Sequence, residues 1–277
     1  MNPPHPTRPF EADDDIIAIP VAGSSPVMVG RPGLAGPDAE AWIARAQAAC
    51  VLLGEIAAAL PTHDIAGPPR IFDLAGLSGD DLRLVSEVLG EGEVTGTVFA
   101  PGETRIRESV MAGLWRVTDA DHDRVEIADI PTAVRIAAEA GIADLTIPAG
   151  AERNLPEGAM NVLPLLTEIG ARMENWRPGM DNHVISFDLF PMSPVDMSVL
   201  QRVLGTGPVA LSSLGYGTCR VTATGHRHVW SVQYLNARDA VVMDSLEIGG
   251  VPVAVRAATE DLEDSARRMA DILEAYL

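Results

Sequence analysis

The 277-residue chain is written twice, and no other feature of it restricts the fold as much. "FDLAGLSGDDLRLVSEVLGEGEV" begins at Phe72 and is answered by "FDLFPMSPVDMSVLQRVLGTGPV" at Phe187, 115 residues later. The same offset carries Ser78 onto Ser193, Asp81 onto Asp196, Gly90 onto Gly205 and Gly92 onto Gly207. It then runs without a gap through Arg105 and Arg220 to Trp115 and Trp230. Chance does not hold register over about 45 positions. After a small insertion in the second copy, "IPTAVRIAAEAG" from Ile130 is matched by "VPVAVRAATEDL" from Val251, now at an offset of 121.

The residues kept in both copies are those that begin and end helices. Ser78-x-x-Asp81 and Ser193-x-x-Asp196 have the spacing of a capping box, with Asp for the usual Glu or Gln. Pro194 stands where a first-turn proline is tolerated. Leu82, Val85, Val88 and Leu89 form the apolar stripe of a short helix, and Gly90 and Gly205 fall where a left-handed C-terminal cap is needed. A phosphate-gripping loop needs glycines that enter a helix N-terminus. Gly90, Gly92, Gly205 and Gly207 leave a helix and enter a strand, so they read as punctuation.

A longer helix precedes each copy. Trp42, Ala46, Ala49, Leu53, Ile56 and Leu60 alternate steps of four and three, as do Val162, Leu166, Ile169, Met173 and Trp176, with Pro164 in the first turn of the second. Strands are expected at 93–99, 104–118 and 124–128, then at 208–214, 218–235 and 240–248. A short helix follows Pro131 and a long one follows Pro252. The fold class is therefore α+β, an internal duplication of two tandem repeats, each helix–helix–antiparallel strands–helix and related by a pseudo-twofold axis. Residues 1–37, rich in Pro, Gly and acid, read as an extended arm; 38–150 and 151–277 are the two repeats.

A net charge of −19 argues against nucleic acid and anionic membranes as partners. Two cysteines, Cys50 and Cys219, make no disulfide framework and suggest a reducing compartment. The start has no apolar signal region, and "AACVLLGEIAAAL" is too short to span a bilayer. A cytoplasmic location is expected.

Candidate chemistry is sparse. Asp119-x-Asp121-x-Asp123 opens like a calcium loop, but Arg124 and Ile130 stand where the glycine and the last carboxylate should be. Cys219, His226 and His228 invite a metal reading, yet seven extended residues separate Cys219 from His226 by about 23 Å and point them to opposite faces. His226 and His228 share a strand face with Trp230, Val232 and Tyr234, which reads as a half-buried or partner-facing row. No nucleophile elbow, Walker loop, H-E-x-x-H or C-x-x-C occurs, so no catalytic residue and no cofactor is expected. Glu108 sits mid-strand with Arg105 and Arg107 alternating around it and Trp115 ending the same strand, on either a solvated face or a contact surface. Glu108, Trp115, His226, His228, Trp230 and Tyr234 are the candidate partner contacts.

"LGEGEV", "RESVMAGLWRV", "LGTGPV", "GYGTCRVTATGHRHVWSVQYLNARDAVVMDSLEIGGVP" and "IIAIPVAG" resemble the HupH/HyaF/HoxQ hydrogenase expression and formation proteins. The resemblance spans nearly the whole chain. It implies a cytoplasmic accessory protein that is not an enzyme and that serves the making of uptake [NiFe] hydrogenases. Its implied partner is the immature iron–sulfur small subunit before export, alongside a thioredoxin-like accessory protein. The motif residues that transfer are Gly90, Gly92, Glu108 and Trp115, and Gly205, Gly207, Cys219, Arg220 and Trp230. A transient metal or iron–sulfur-cluster site at Cys219, His226 and His228 is the alternative reading.

Overall fold

In a computed structural model, which describes Leu34 and residues 39–147, 150–215 and 217–277, both Ser-x-x-Asp sequences cap helices. Asp81 accepts from the backbone N–H of Ser78 at 3.0 Å and, with its other oxygen, from Ala49 at 2.9 Å. Asp196 does the same with Ser193 at 3.0 Å, and with Met160, Asn161 and Val162 at 2.8, 3.0 and 3.1 Å. Each carboxylate thus closes the starts of two helices, its own and the preceding one. Most of the expected arm, including "IIAIPVAG", lies outside the described residues, as does Tyr216; Leu34 is buried in the first core.

The first half contains α1 (Ala39–Ile43), α2 (Gln47–Ala59), β1 (Arg70–Asp73), α3 (Gly79–Leu89), β2 (Val94–Val98), β3 (Thr104–Glu108), β4 (Leu114–Thr118), β5 (Asp123–Ile127) and α4 (Thr132–Glu139). The second contains α5 (Val162–Asn175), β6 (His183–Ser186), α6 (Pro194–Leu204), β7 (Val209–Ser213), β8 (Thr218–Ala223), β9 (Val229–Leu235), β10 (Val241–Ile248) and α7 (Thr259–Tyr276). All ten strands form one antiparallel sheet in the order β1-β5-β4-β3-β2-β7-β8-β9-β10-β6. The two sets of five meet where β2 pairs with β7. There Gly96 faces Leu211, its counterpart 115 residues on, while Val94 faces Ser213 and Val98 faces Val209.

Side-chain alternation divides the sheet into two faces. One face carries Val94, Val98, Ile106, Trp115 and Val117 with Val209, Leu211, Val221, Trp230 and Val232, buried with Val134 and Ala137 of α4. On the other face α2 and α3 pack over Leu114, Val125 and Ile127, and α5 and α6 over Val229, Leu246 and Ile248.

Several expectations need correction. The helix stripe from Trp42 to Leu60 is buried as read, but it breaks at Ala46. The break frees the N-terminus of α2 to meet Asp81. The strand expected over 104–118 turns at Ser109–Gly113, and that over 218–235 turns at Thr224–His228, where Gly113 and His228 take φ of 82° and 64°. Gly90 and Gly205 have the positive φ anticipated (59° and 64°) but extended ψ of −161° and −168°. That region is glycine's own and is not a left-handed cap. Gly92 and Gly207 are needed for close approach, because a Cβ would stand 2.1 Å from the Ser109 carbonyl oxygen and 2.2 Å from that of Thr224.

Candidate functional site

The helix pairs cover only the outer strands of their face, so among the described residues no helix lies over the four central strands. On that strip β2 and β3 present Thr95, Thr97, Arg105 and Arg107, and β7 and β8 present Ala210, Ser212, Arg220 and Thr222; none is buried. A cavity of about 470 Å3 lies on the first-half side, lined by Glu91, Thr95, Thr97, Arg105, Arg107 and Arg116 among others. The cleft therefore has a floor of hydroxyls and guanidinium groups on the first-half side of the seam.

Each of the three arginines lining the cavity has an acidic neighbour. Arg105 Nε lies 2.9 Å from Glu103, and Arg107 Nη1 lies 2.8 Å from Glu91. Arg116 meets Asp123 with Nε at 3.0 Å and Nη2 at 2.7 Å and gives Nη1 to Ser86 at 2.7 Å. Arg220 is exposed and forms no ion pair among the described residues. Exposed pairs of this kind are worth about 1 kcal/mol or less, so an incoming carboxylate or carbonyl can exchange with Glu91 or Glu103 at little cost. Such a floor suits an extended, polar polypeptide segment, since the guanidinium fork and the Thr hydroxyls match carboxylates and backbone carbonyls.

The candidate contacts named from the sequence lie elsewhere. Trp115 and Trp230 are 0% and 1% exposed and share one core on the opposite face. Packed indoles offer no surface, so as partner contacts they are corrected to core residues. The Trp115 indole N–H donates to the Ala128 carbonyl at 2.9 Å, whereas that of Trp230 has no partner among the described residues. Glu108, 6% exposed, sits on the same buried face as Ile106 and accepts from the Gly113 N–H at 3.2 Å. Burial pushes its carboxyl up to about 7 against the backbone donors, with Glu93 and Asp261 adding to the rise.

His226 and His228 occupy the β8–β9 turn and so do not extend the row of Trp230, Val232 and Tyr234. His226 is buried, its Nε2 3.2 Å from the Val203 carbonyl oxygen. His228 packs on Trp176 at 4.4 Å between ring centroids and lies 3.8 Å from Glu139. Cys219, the second residue of β8, lies about 17 Å of strand before that turn, opposite Tyr234. Burial raises the Cys219 thiol pKa, which disfavours the thiolate a metal needs, and it lifts Tyr234 to about 12. Cys219, His226 and His228 do not converge. Among the described residues no group of three His, Cys, Asp or Glu side chains is placed to hold a metal ion.

Arg105, Arg107, Arg116, Thr95 and Thr97 were missed as a site. A signal was present: Ile106 and Glu108 share parity, so an inward Ile106 sends Glu108 inward and both flanking arginines out.

Residues 46–146 and 159–276 match the family model described as "HupH hydrogenase expression protein, C-terminal conserved region". The hydrogenase expression/formation protein HupH of Rhizobium leguminosarum bv. viciae is 48% identical over 252 residues, 88% of this chain and 87% of that protein. HoxQ of Cupriavidus necator, described in the same words, is 35% identical over 247 residues, 88% and 86% of the two chains. The hydrogenase-1 operon protein HyaF of Escherichia coli is 33% identical over 220 residues, 75% and 74%. A solved structure, the hydrogenase expression protein HupH from Thiobacillus denitrificans, shares 30% identity over 42% of this chain and 97% of its own, with a TM-score of 0.37. Among the described residues no helix is long and apolar enough to cross a membrane.

Proposed function

Because the chain belongs to the HupH family of hydrogenase expression/formation proteins, we propose that it is a cytoplasmic, non-enzymatic chaperone of [NiFe] hydrogenase maturation. Its client is the immature iron–sulfur small subunit, held before export, with a thioredoxin-like accessory protein acting alongside. The observation that carries this reading is the cleft over β2–β4, where Arg105, Arg107 and Arg116 stand around Thr95 and Thr97, with Arg220 exposed on the same strip two strands away across the β2–β7 seam. The repeated register, with Gly96 opposite Leu211, supports an ancestral duplication that put a broad, two-sided floor on one chain.

The test is co-purification of the small subunit from cells expressing the hydrogenase operon, with wild type and with Arg105→Glu/Arg107→Glu. Both residues are exposed, so the melting temperature should hold while client recovery falls at least about tenfold, the worth of one good charge-assisted contact. Undiminished recovery with the folded double variant removes the cleft as the client site.

A further inference from the structure

The two ends of the sheet have diverged. In the first half, Leu74 is 2% exposed and packs in the core; its counterpart 115 residues on, Leu189, is 87% exposed. The β4–β5 hairpin is short and closed by ion pairs of Arg116 with Asp123 and Arg124 with Asp119. The β9–β10 hairpin holds the second copy's insertion. Its pairing shifts between Val241 and Met243, leaving Val242 out of register and 59% exposed, with Val241 and Met243 exposed beside it. A bulge re-aims a side chain in this way.

These apolar residues lie together along one end of the second half. The Phe187 N–H donates to the Asp244 carbonyl, which places Leu189 beside the start of β10. Val241 pairs with Leu235, which pairs with Thr218, the residue reached from Leu214 through the β7–β8 loop; Leu214 is 61% exposed. From Leu189 to Leu214 the crest crosses the ends of β6, β10, β9, β8 and β7, a span of about 19 Å. That length matches an extended apolar run of about six residues.

The crest is bordered by acid. Asp188 adjoins Leu189, Asp239 is in the hairpin tip, Asp244 follows Met243, and the Leu214 N–H donates to the Glu93 carbonyl. Arg238 is the one cation in that hairpin. Burial, together with the Asp188 carboxylate, pushes the Asp244 carboxyl up. With −19 on the whole chain, this rim repels an anionic membrane surface and attracts positive charge.

We propose that the crest of Leu189, Leu214, Val241, Val242 and Met243 docks a partner polypeptide segment in which an apolar run is flanked by arginine or lysine. The apolar run covers the crest and the flanking cations meet Asp188, Asp239 and Asp244. This surface is separate from the seam cleft and does not rest on the identity of the client.

The probe is a fluorescein-labelled decapeptide with two arginines at each end of three Leu-Ala repeats, titrated with the full chain by anisotropy. Saturable binding is expected, weakened by salt and at least about tenfold poorer when the four arginines are replaced by glutamates. Leu189→Ser/Val242→Ser should weaken it by a similar factor, Asp188→Asn/Asp239→Asn should flatten its salt dependence, and the cleft variant Arg105→Glu/Arg107→Glu should leave it unchanged. Melting temperatures verify that each variant is folded, and the aspartate pair stands in should the apolar pair not fold. Absence of binding at millimolar protein, equal affinity for the glutamate probe, or insensitivity to both crest and rim variants overturns the proposal. So does binding of phosphatidylglycerol vesicles in preference to the peptide.

Discussion

Glu108→Gln tests the electrostatics behind the seam. The carboxyl ionises at about 7 in the folded chain, against an ordinary value of 4.5, with burial as the main cause. Below pH 4.5 both states hold the proton and the group has no effect. Between 4.5 and 7 the unfolded chain ionises while the folded one keeps its proton, so wild-type stability falls as pH rises and levels off above 7. About 2.5 pKa units at about 1.4 kcal/mol each give a loss on the order of 3 kcal/mol. Glutamine has no proton to lose, and its Oε1 still accepts from the Gly113 N–H. The stability gap between variant and wild type should therefore open from near zero at pH 4.5 to about 3 kcal/mol in favour of the variant at pH 8. Urea unfolding followed by tryptophan fluorescence at several pH values reads this directly. A gap that stays constant from pH 5 to 8 would refute the assignment of Glu108 as a buried, neutral-range acid.

Asp196→Ala removes the acceptor for five donors and uncaps α5 and α6 together, for a loss of about 2–4 kcal/mol seen as a lower urea midpoint. Burial opposes ionisation of Asp196, but its donors hold the carboxyl down to about 2, so its stabilisation is full above the ordinary aspartate range and is lost as pH falls toward 2. Wild type should consequently lose more stability than the variant on acidification, as thermal melts from pH 5 to 2.5 would show. Trp115→Phe and Trp230→Phe keep the ring but not the indole N–H. The first strands the Ala128 carbonyl and should cost about 1–2 kcal/mol more than the second, whose N–H has no partner among the described residues, in matched urea curves.

How far the sequence could be read depended on whether a residue's role is local. Ser78, Asp81, Ser193 and Asp196 act within one turn of helix, and their spacing alone predicts the caps; that each also closes the preceding helix is a tertiary contact no spacing encodes. The buried stripe from Trp42 to Leu60 was legible because helical periodicity reports burial directly. β1 and β6 were not, since Arg70–Asp73 and His183–Ser186 are too short to show alternation. The tryptophans were misassigned because their size suits a contact surface and a core equally, and only the sheet's covered face decides between them. The cleft is a property of which strands the helices fail to cover, and that follows from one ten-stranded sheet forming across both halves.

That shared sheet is locked by α7 and by the segment after α4, each of which crosses to the opposite half. α7, at the end of the second half, sends Leu262 and Met269 into the first core beside Leu53 and Ile56, and Ser265 and Arg268 donate to the Ala112 and Val110 carbonyls. The segment after α4, at the end of the first half, returns the contact: the Ile142 N–H donates to the Gly225 carbonyl and its own carbonyl accepts from Arg227. Residues 110–112 and 225–227 are 115 apart, so the last segment of each half closes the turn at the corresponding position of the other half. Asp129 adds an unrepeated tie, taking both Arg135 and its counterpart Arg256. With cores interlocked in this way neither half can drift from the other, and the seam strands β2 and β7 are held as one surface. The two halves differ most where this lock is absent, at the apolar end of the second half, where Leu189 and Val242 are exposed and their surroundings acidic.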